Sequence, residues 1–435
     1  MAIVAQIAGL VEGIAPSYLK FEGDNVGLQV GSAGMAVNKV LVALEVTDEV
    51  LHEARSKGAQ LIFSHHPLIF KSLDRVLAED HVGGLVTDLI SSGISLLVAH
   101  TNLDRARDGV SDVLAHVLGL QDIEVLLPAR DIHMYKLVVF VPKDNVHEII
   151  SALGNVGGGV IGEYSHCTYR VEGIGTFYPM LGAHPFLGKS GELNEVDEYR
   201  LEILVAPDRI EQVVQTLLDV HPYEEVAYDV YDVTTPPPGV GFGRVGNMTK
   251  TRKLRDCIEN WADKLGTDLK VSGDMDTVVS RVTVCGGSGG ELIGVAKASG
   301  ADVYLTGDIK YHAAHAARAI GLAIVDAGHA ETERLVIPEV SRELQRSINE
   351  AFLFLVDFFI KAIEFILNLF LNLRFITKFL LDRLVKRLRF ICFLAQFLIA
   401  VALGQVLFTV LQSIDLRIYL LKFFQGFILI HSQPL

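Results

Sequence analysis

Three stretches far apart in the chain each place metal-ligating side chains directly after an apolar run: Ser64-His65-His66-Pro67, Thr101-Asn102-Leu103-Asp104 and Gly328-His329-Ala330-Glu331-Thr332-Glu333. The runs themselves, Leu61-Ile62-Phe63, Ile94 to Ala99 and Ala323 to Val325, are short, uncharged and rich in aliphatic residues, and amphipathic helical patterns precede them. That is the signature of parallel strands buried on both faces. Ligands of such sheets gather beyond the carboxyl ends of the strands, which is where all three polar clusters stand. Three coincidences of this kind point to one shared site.

The spacings fit coordination chemistry. His65 and His66 would face opposite sides of a continuing strand, but Pro67 keeps His66 out of helical geometry and cannot donate to a ladder. A turn is expected here, aiming two imidazoles at two neighbouring metals. His329 and Glu333 are four apart at an expected helix start, so they share one face of its first turns. Asp104 adds a short carboxylate able to bridge two cations. Three imidazoles with two carboxylates suit zinc, iron or manganese, whereas calcium or magnesium alone calls for more oxygen. Two such ions roughly 3.5–4 Å apart can share a bridging water or hydroxide as nucleophile. Each piece alone also fits an ordinary role: a polar turn for His-His-Pro, a surface pair for His329 and Glu333, a helix cap for Asp104. Their conjunction at three strand ends favours the metal reading.

Five segments carry a resemblance to a known family: Gly23-Asp24-Asn25-Val26-Gly27-Leu28-Gln29-Val30-Gly31, Ser64-His65-His66-Pro67-Leu68-Ile69-Phe70, His100-Thr101-Asn102-Leu103-Asp104, Thr306-Gly307-Asp308-Ile309-Lys310-Tyr311-His312, and Asp326-Ala327-Gly328-His329 through Thr332-Glu333. In this order, over roughly the first 350 residues, the chain resembles the NIF-three-like family, also called GTP cyclohydrolase I type 2 homologs. The resemblance implies a three-layer α/β/α sandwich, a dinuclear metal centre and a toroidal homohexamer. It also implies that His65, His66, Asp104, His329 and Glu333 are the metal ligands, the same set the spacing selects. The chain departs from the family pattern at Gly23, where Trp is usual, and at Glu45, where Asp is usual; neither is a ligand position.

Residues 1–128 and 236–350 alternate helix and strand patterns and are expected to form two halves of that sandwich. Between them, 129–235 reads as an inserted domain. A strand over Lys136 to Pro142, a helix over Asn145 to Leu153, a strand over Tyr199 to Val205 and a helix over Asp208 to Leu218 suggest a ferredoxin-like unit. Longer members of the family carry a PII-like insert here. His221, Tyr223 and Glu224 are candidates for a lid or effector site, and equally for a turn joining helix to strand.

Two further motifs follow strands. Gly286-Gly287-Ser288-Gly289-Gly290 fits a phosphate cradle or tight packing of a helix on a strand, and it lacks the Lys-Ser/Thr of a Walker loop. In Thr306 to His312, Asp308 and His312 are candidates for orienting a ligating histidine or carrying protons, with Asp308 as a helix cap the plainer role.

Composition narrows the classes. The net charge is −14, which argues against a nucleic-acid binder. The four cysteines, Cys167, Cys257, Cys285 and Cys392, are widely separated and form no Cys-x-x-Cys pair, as in a reduced, cytoplasmic protein. No signal-peptide pattern opens the chain. From residue 351 to 435 an atypical apolar tail, expected to be helical, replaces the short strand with which the family usually ends. Phe390 to Ile414 carries no charge, and Lys386, Arg387 and Arg389 precede it, so membrane association depends wholly on whether this tail is genuine.

The function expected from these readings is a hydrolase using two divalent metal ions (zinc, iron or manganese), with a small-molecule substrate such as GTP: metal-activated water attacks the purine ring. The alternative class is a non-enzymatic metal-binding regulator whose insert senses a ligand.

Overall fold

Val40–Ala43, Leu61–Ser64 and Ser95–Val98 contain no charged residue, and every residue in them is buried. They lie side by side in parallel, Val40 opposite Leu61 and Leu61 opposite Ser95. Gly27–Val30 flanks one edge antiparallel, and Ile428–Ile430 flanks the other in parallel. Helix Asp48–Lys57 returns the chain between the first two strands. It is capped by the Thr47 side chain, which accepts from the Val50 amide, and carries Asp48 and Glu49 in its first turn and Arg55 and Lys57 in its last. Those charges complement the helix dipole. Val50, Leu51 and Ala54 of this helix, with Leu85, Val86 and Leu89 of helix His81–Ser92, bury Leu41, Ile62 and Leu96. Each large aliphatic side chain so buried contributes about 1.5–3 kcal/mol. Strand ends anchored in this way hold whatever follows them in fixed positions.

The computed structural model describes residues 2–162, 164–350, 361–362, 365 and 428–430. The fold is mixed α/β with several sheets and divides into two compact units, one of Met1–Ile14, Asn25–Ala99 and Ile337–Leu435, the other of Ala15–Asp24 and His100–Val336.

The second unit is built on a six-stranded sheet in the order Lys270–Ser272, Ala323–Asp326, Val303–Gly307, Val278–Ser288, Gly241–Lys253, Leu120–Pro128. Val278–Ser288, Val303–Gly307 and Ala323–Asp326 pair in parallel. Alternate side chains fill its two faces. Val282, Val303, Leu305 and Val325 pack with the fully buried Trp261 on one face, and Cys285, Tyr304 and Ile324 pack with Ala296 and Ala317 on the other. The sequence expectations missed Leu120–Pro128 and Gly241–Lys253. The second of these is interrupted by Gly241, Gly243 and Gly246, which conceal the alternation of a strand.

The same unit carries a four-stranded antiparallel sheet in the order Tyr228–Val233, Met134–Pro142, Asn194–Val205, Thr168–Phe177. With helices Val146–Asn155 and Ile210–Val220 the succession is β-α-β-β-α-β. Leu137, Val139, Leu201 and Ile203 of the sheet meet Ile149, Leu153, Val213 and Leu217 of the helices in a separate core.

The expected membrane segment from Phe390 to Ile414 lies outside the described residues. Among the described residues no helix is long and apolar enough to cross a membrane.

Candidate metal centre

In the first unit the chain does not leave the sheet at Ser64. The His65 amide donates to the Ala43 carbonyl at 3.3 Å and the His66 amide to the Leu44 carbonyl at 2.7 Å, so both histidines are held by backbone bonds past the strand end. His65 is fully buried. Its Nδ1 lies 3.0 Å from the Ala99 carbonyl oxygen. A carbonyl only accepts, so Nδ1 carries the hydrogen and Nε2 the lone pair. The His66 ring centroid is 5.2 Å from that of His65, tilted by 40°, and the two rings offer nitrogens within 4.8 Å of each other. Glu45 approaches His66 Nδ1 at 4.0 Å.

In the second unit two one-turn helices carry the other three expected ligands. Helix Thr101–Arg105 begins at His100, whose carbonyl accepts the Asp104 amide at 3.1 Å. Asn102 fixes this turn by donating to the Ala15 carbonyl at 2.6 Å and accepting from the His100 amide at 2.8 Å. Helix His329–Glu333 places His329 Nε2 3.1 Å from Glu333 Oε1. Asp104 and Glu333 offer carboxylate oxygens within 4.8 Å of each other, so Glu333 neighbours both of the other donors. Like charges this close, one of them buried, repel unless a proton or cation offsets them. The Glu333 carboxylate, opposed by burial and helped by Asp308, holds His329 up at about 9. Burial, with Asp104 and Glu333 adding to it, pushes the nearby Cys285 thiol up to about 12.

Asp308 takes a left-handed backbone, φ 56°, and its Oδ2 stands 2.7 Å from His329 Nδ1. This is the carboxylate–histidine pairing that fixes the tautomer of a metal-binding imidazole and raises its basicity. The cap of the following helix, Tyr311–Ala319, is Lys310 and not Asp308. His312 lies exposed on that helix, its ring edge-on to Tyr311 at 5.3 Å.

The glycine-rich loop serves packing. The Gly287 amide donates to Thr332 Oγ1 at 2.9 Å and its carbonyl accepts from Thr306 Oγ1 at 3.1 Å, while the Gly289 carbonyl accepts from the Tyr304 hydroxyl at 2.8 Å. At Gly287 the backbone is left-handed, φ +63°, and a Cβ there would fall 2.2 Å from Glu333 Oε1 and 3.3 Å from His329 Nε2. Only glycine lets the loop approach these two side chains so closely.

One pair went unremarked in the sequence. Asp24, 7% exposed, accepts from His100 Nδ1 at 2.9 Å, from Thr101 Oγ1 at 2.5 Å and from the Thr101 amide at 3.2 Å. Burial works against its charge, but the bonds from His100 and Thr101 outweigh it and bring the carboxyl down to about 2. The two residues are 76 positions apart, and no linear spacing pairs them.

Comparisons with known proteins agree with the fold. A "GTP cyclohydrolase 1 type 2 homolog" of Bacillus subtilis is 43% identical over 347 residues, covering 79% of this chain and 92% of the relative. One of the same name from Mycobacterium tuberculosis is 38% identical over 338 residues, 76% of this chain and 88% of the relative. The crystal structure of a Bacillus cereus protein related to NIF3 matches with a TM-score of 0.73 at 40% identity, over 80% of this chain and 94% of that one. The family model for Duf34/NIF3 (NGG1p interacting factor 3) matches residues 2–363. The chain therefore belongs to the Duf34/NIF3 family.

Proposed function

We propose that the chain is a hydrolase dependent on two divalent metal ions, acting on a purine nucleotide as the names of its relatives suggest, with His65, His66, Asp104, His329 and Glu333 as the ligands. The observation that carries the reading is the state of the donors. His65 has Nδ1 tied to the Ala99 carbonyl, which makes Nε2 its coordinating nitrogen, His329 stands between Asp308 at Nδ1 and Glu333 at Nε2, and Glu333 lies beside both His329 and Asp104. Imidazoles prepared in this way, with two crowded carboxylates, fit zinc, iron or manganese.

When bound, such ions lower the pKa of water from about 15.7 to roughly 7 and polarise the group under attack. The protein's own contribution is to hold the ligands rigidly. The ladder bonds to Ala43 and Leu44 fix the His65-His66 backbone, and Asn102 fixes the turn that bears Asp104. We assign Asp308 to positioning His329, since its Oδ2 is already engaged by that ring. The family resemblance extends the proposal to the assembly, a toroidal homohexamer.

The full chain, stripped with chelator and reloaded with zinc, iron or manganese, should release formate from GTP, and chelator should abolish the reaction. Metal uptake without turnover of GTP or any other purine nucleotide refutes the hydrolase reading. Failure to bind any of these ions refutes the metal centre itself. A mass in solution other than six protomers refutes the assembly.

A further inference from the structure

We propose that Phe21 is the stacking platform for the base of the nucleotide substrate: its open ring face takes the purine, while Phe242 and Arg105 back the ring from the other side. The inference rests on the proposed reaction with a purine nucleotide and names the residue that recognises the base.

Phe21 is 48% exposed, yet it is held from several directions. Two residues earlier, Leu19 is buried in a small core with Ala106 and Val240. The Phe21 amide donates to Thr101 Oγ1 at 3.0 Å. Its ring stacks on that of Phe242, centroids 4.8 Å apart and planes 14° from parallel, and Phe242 is itself fixed opposite Leu127 in the six-stranded sheet. The Arg105 guanidinium lies 5.2 Å from the Phe21 centroid and 5.5 Å from that of Phe242. The three separations are nearly equal, so Arg105 and Phe242 stand on the same side of Phe21, and the exposure belongs to its opposite face. Arg105 is 1% exposed and bonded through Nη2 to Asp131, while its Nε and Nη1 have no hydrogen-bond partner among the described residues. A buried guanidinium that forgoes those bonds is packed on the rings, where its charge and its N–H groups meet the π faces.

A ring immobilised before the ligand arrives loses little freedom on binding, which suits an aromatic side chain to carry a base. Positive charge beside the ring drains its negative π face, so the open face disfavours a cation and favours the broad, electron-rich surface of a purine. Lys20, Glu22 and Gly23 around it are exposed too, so Phe21 is a single ring among polar neighbours and no part of an apolar patch of the size a protein partner covers. Its position fits the proposed reaction. Thr101, which holds the Phe21 amide, and Arg105, which backs the ring, are the first and last residues of the one-turn helix that carries Asp104. A base stacked on Phe21 is thereby tied to the turn that supplies one of the proposed ligands.

Full-length wild type, Phe21→Ala, Phe21→Leu and Phe21→Trp, each loaded with zinc, are tested for binding of GTP, UTP and inorganic triphosphate by competition against a fluorescent guanine nucleotide. Phe21→Ala and Phe21→Leu should weaken GTP about 5–150-fold, weaken UTP less and leave triphosphate unchanged. Phe21→Trp should bind GTP at least as tightly as wild type, and GTP but not triphosphate should quench its indole emission. Trp261 is fully buried and supplies a constant background, read from wild type. Wild-type GTP affinity in Phe21→Ala overturns the proposal, and so does an equal loss for triphosphate, which marks a merely structural role. If Phe21→Ala and Phe21→Leu do not fold, Phe21→Trp carries the test, and an indole that GTP leaves unquenched overturns it. GTP bound with the expected variant pattern but no formate released sinks the hydrolase reading and leaves the platform standing. Formate released by Phe21→Ala with the wild-type KM sinks the platform alone, and wild type that binds no GTP sinks both.

Discussion

Gly287→Ala isolates how the second unit holds its ligands. The new Cβ would stand 2.2 Å from Glu333 Oε1, on a backbone with φ +63°. Carbon–oxygen contacts below ~3.4 Å are repulsive, so the carboxylate must retreat by more than ~1 Å. Metal–ligand distances tolerate only about 0.2 Å, so Glu333 cannot both avoid the methyl group and serve as the metal ligand proposed for it. The left-handed backbone adds about 1–2 kcal/mol of strain. Strain of that size lowers Tm by roughly 2–8 °C for a unit of this size. Two effects of different origin follow, and they separate cleanly. In chelator, thermal unfolding should fall by those few degrees. With metal present, the drop should be larger, because stabilisation by a bound ion scales with the logarithm of its affinity and would be lost as well. Chelator competition should show affinity down by at least ~10-fold. A variant that binds metal as wild type does and unfolds at the wild-type temperature refutes the reasoning, since Glu333 would then give way at no cost to metal binding or to the fold.

Two further outcomes are expected. Asp308→Asn keeps the size of the group that meets His329 Nδ1 but removes its charge, so metal affinity should fall about 10–100-fold while far-UV circular dichroism stays unchanged; undiminished affinity would show that Asp308 does not hold the ring. For acid stability, the Asp24 carboxyl stands at about 2 against an ordinary 3.8. A depressed folded value means its charge stabilises the fold above about pH 4, and that contribution, roughly 2 kcal/mol, is lost as the pH falls toward 2. Asp24→Asn, unfolded in chelator across that range, should therefore lose less stability on acidification than wild type, and an acid limb of identical slope would refute the assignment.

Part of this architecture is legible in local sequence. The strands beginning at Leu61 and Ala323 extend only one residue beyond the aliphatic runs that announce them. Helix Asp48–Lys57 is the amphipathic pattern that precedes the run at Leu61. Such elements are readable because an uninterrupted aliphatic run or an amphipathic repeat fixes burial residue by residue. Gly241–Lys253 was not readable, because glycines break its alternation and pairing on both edges supplies what the side chains do not.

The same division runs through the candidate centre. By itself the sequence determined which side chains are donors and that they follow buried strands, because residue type and hydrophobic run length are local properties. Only the tertiary structure decided which ring nitrogen of His65 carries hydrogen, that Asp308 meets His329, why position 287 must be glycine, and that Asp24 grips His100. Each of these depends on contacts between residues 21 to 76 positions apart, and such contacts are set by the path of the folded chain, which no spacing along it records.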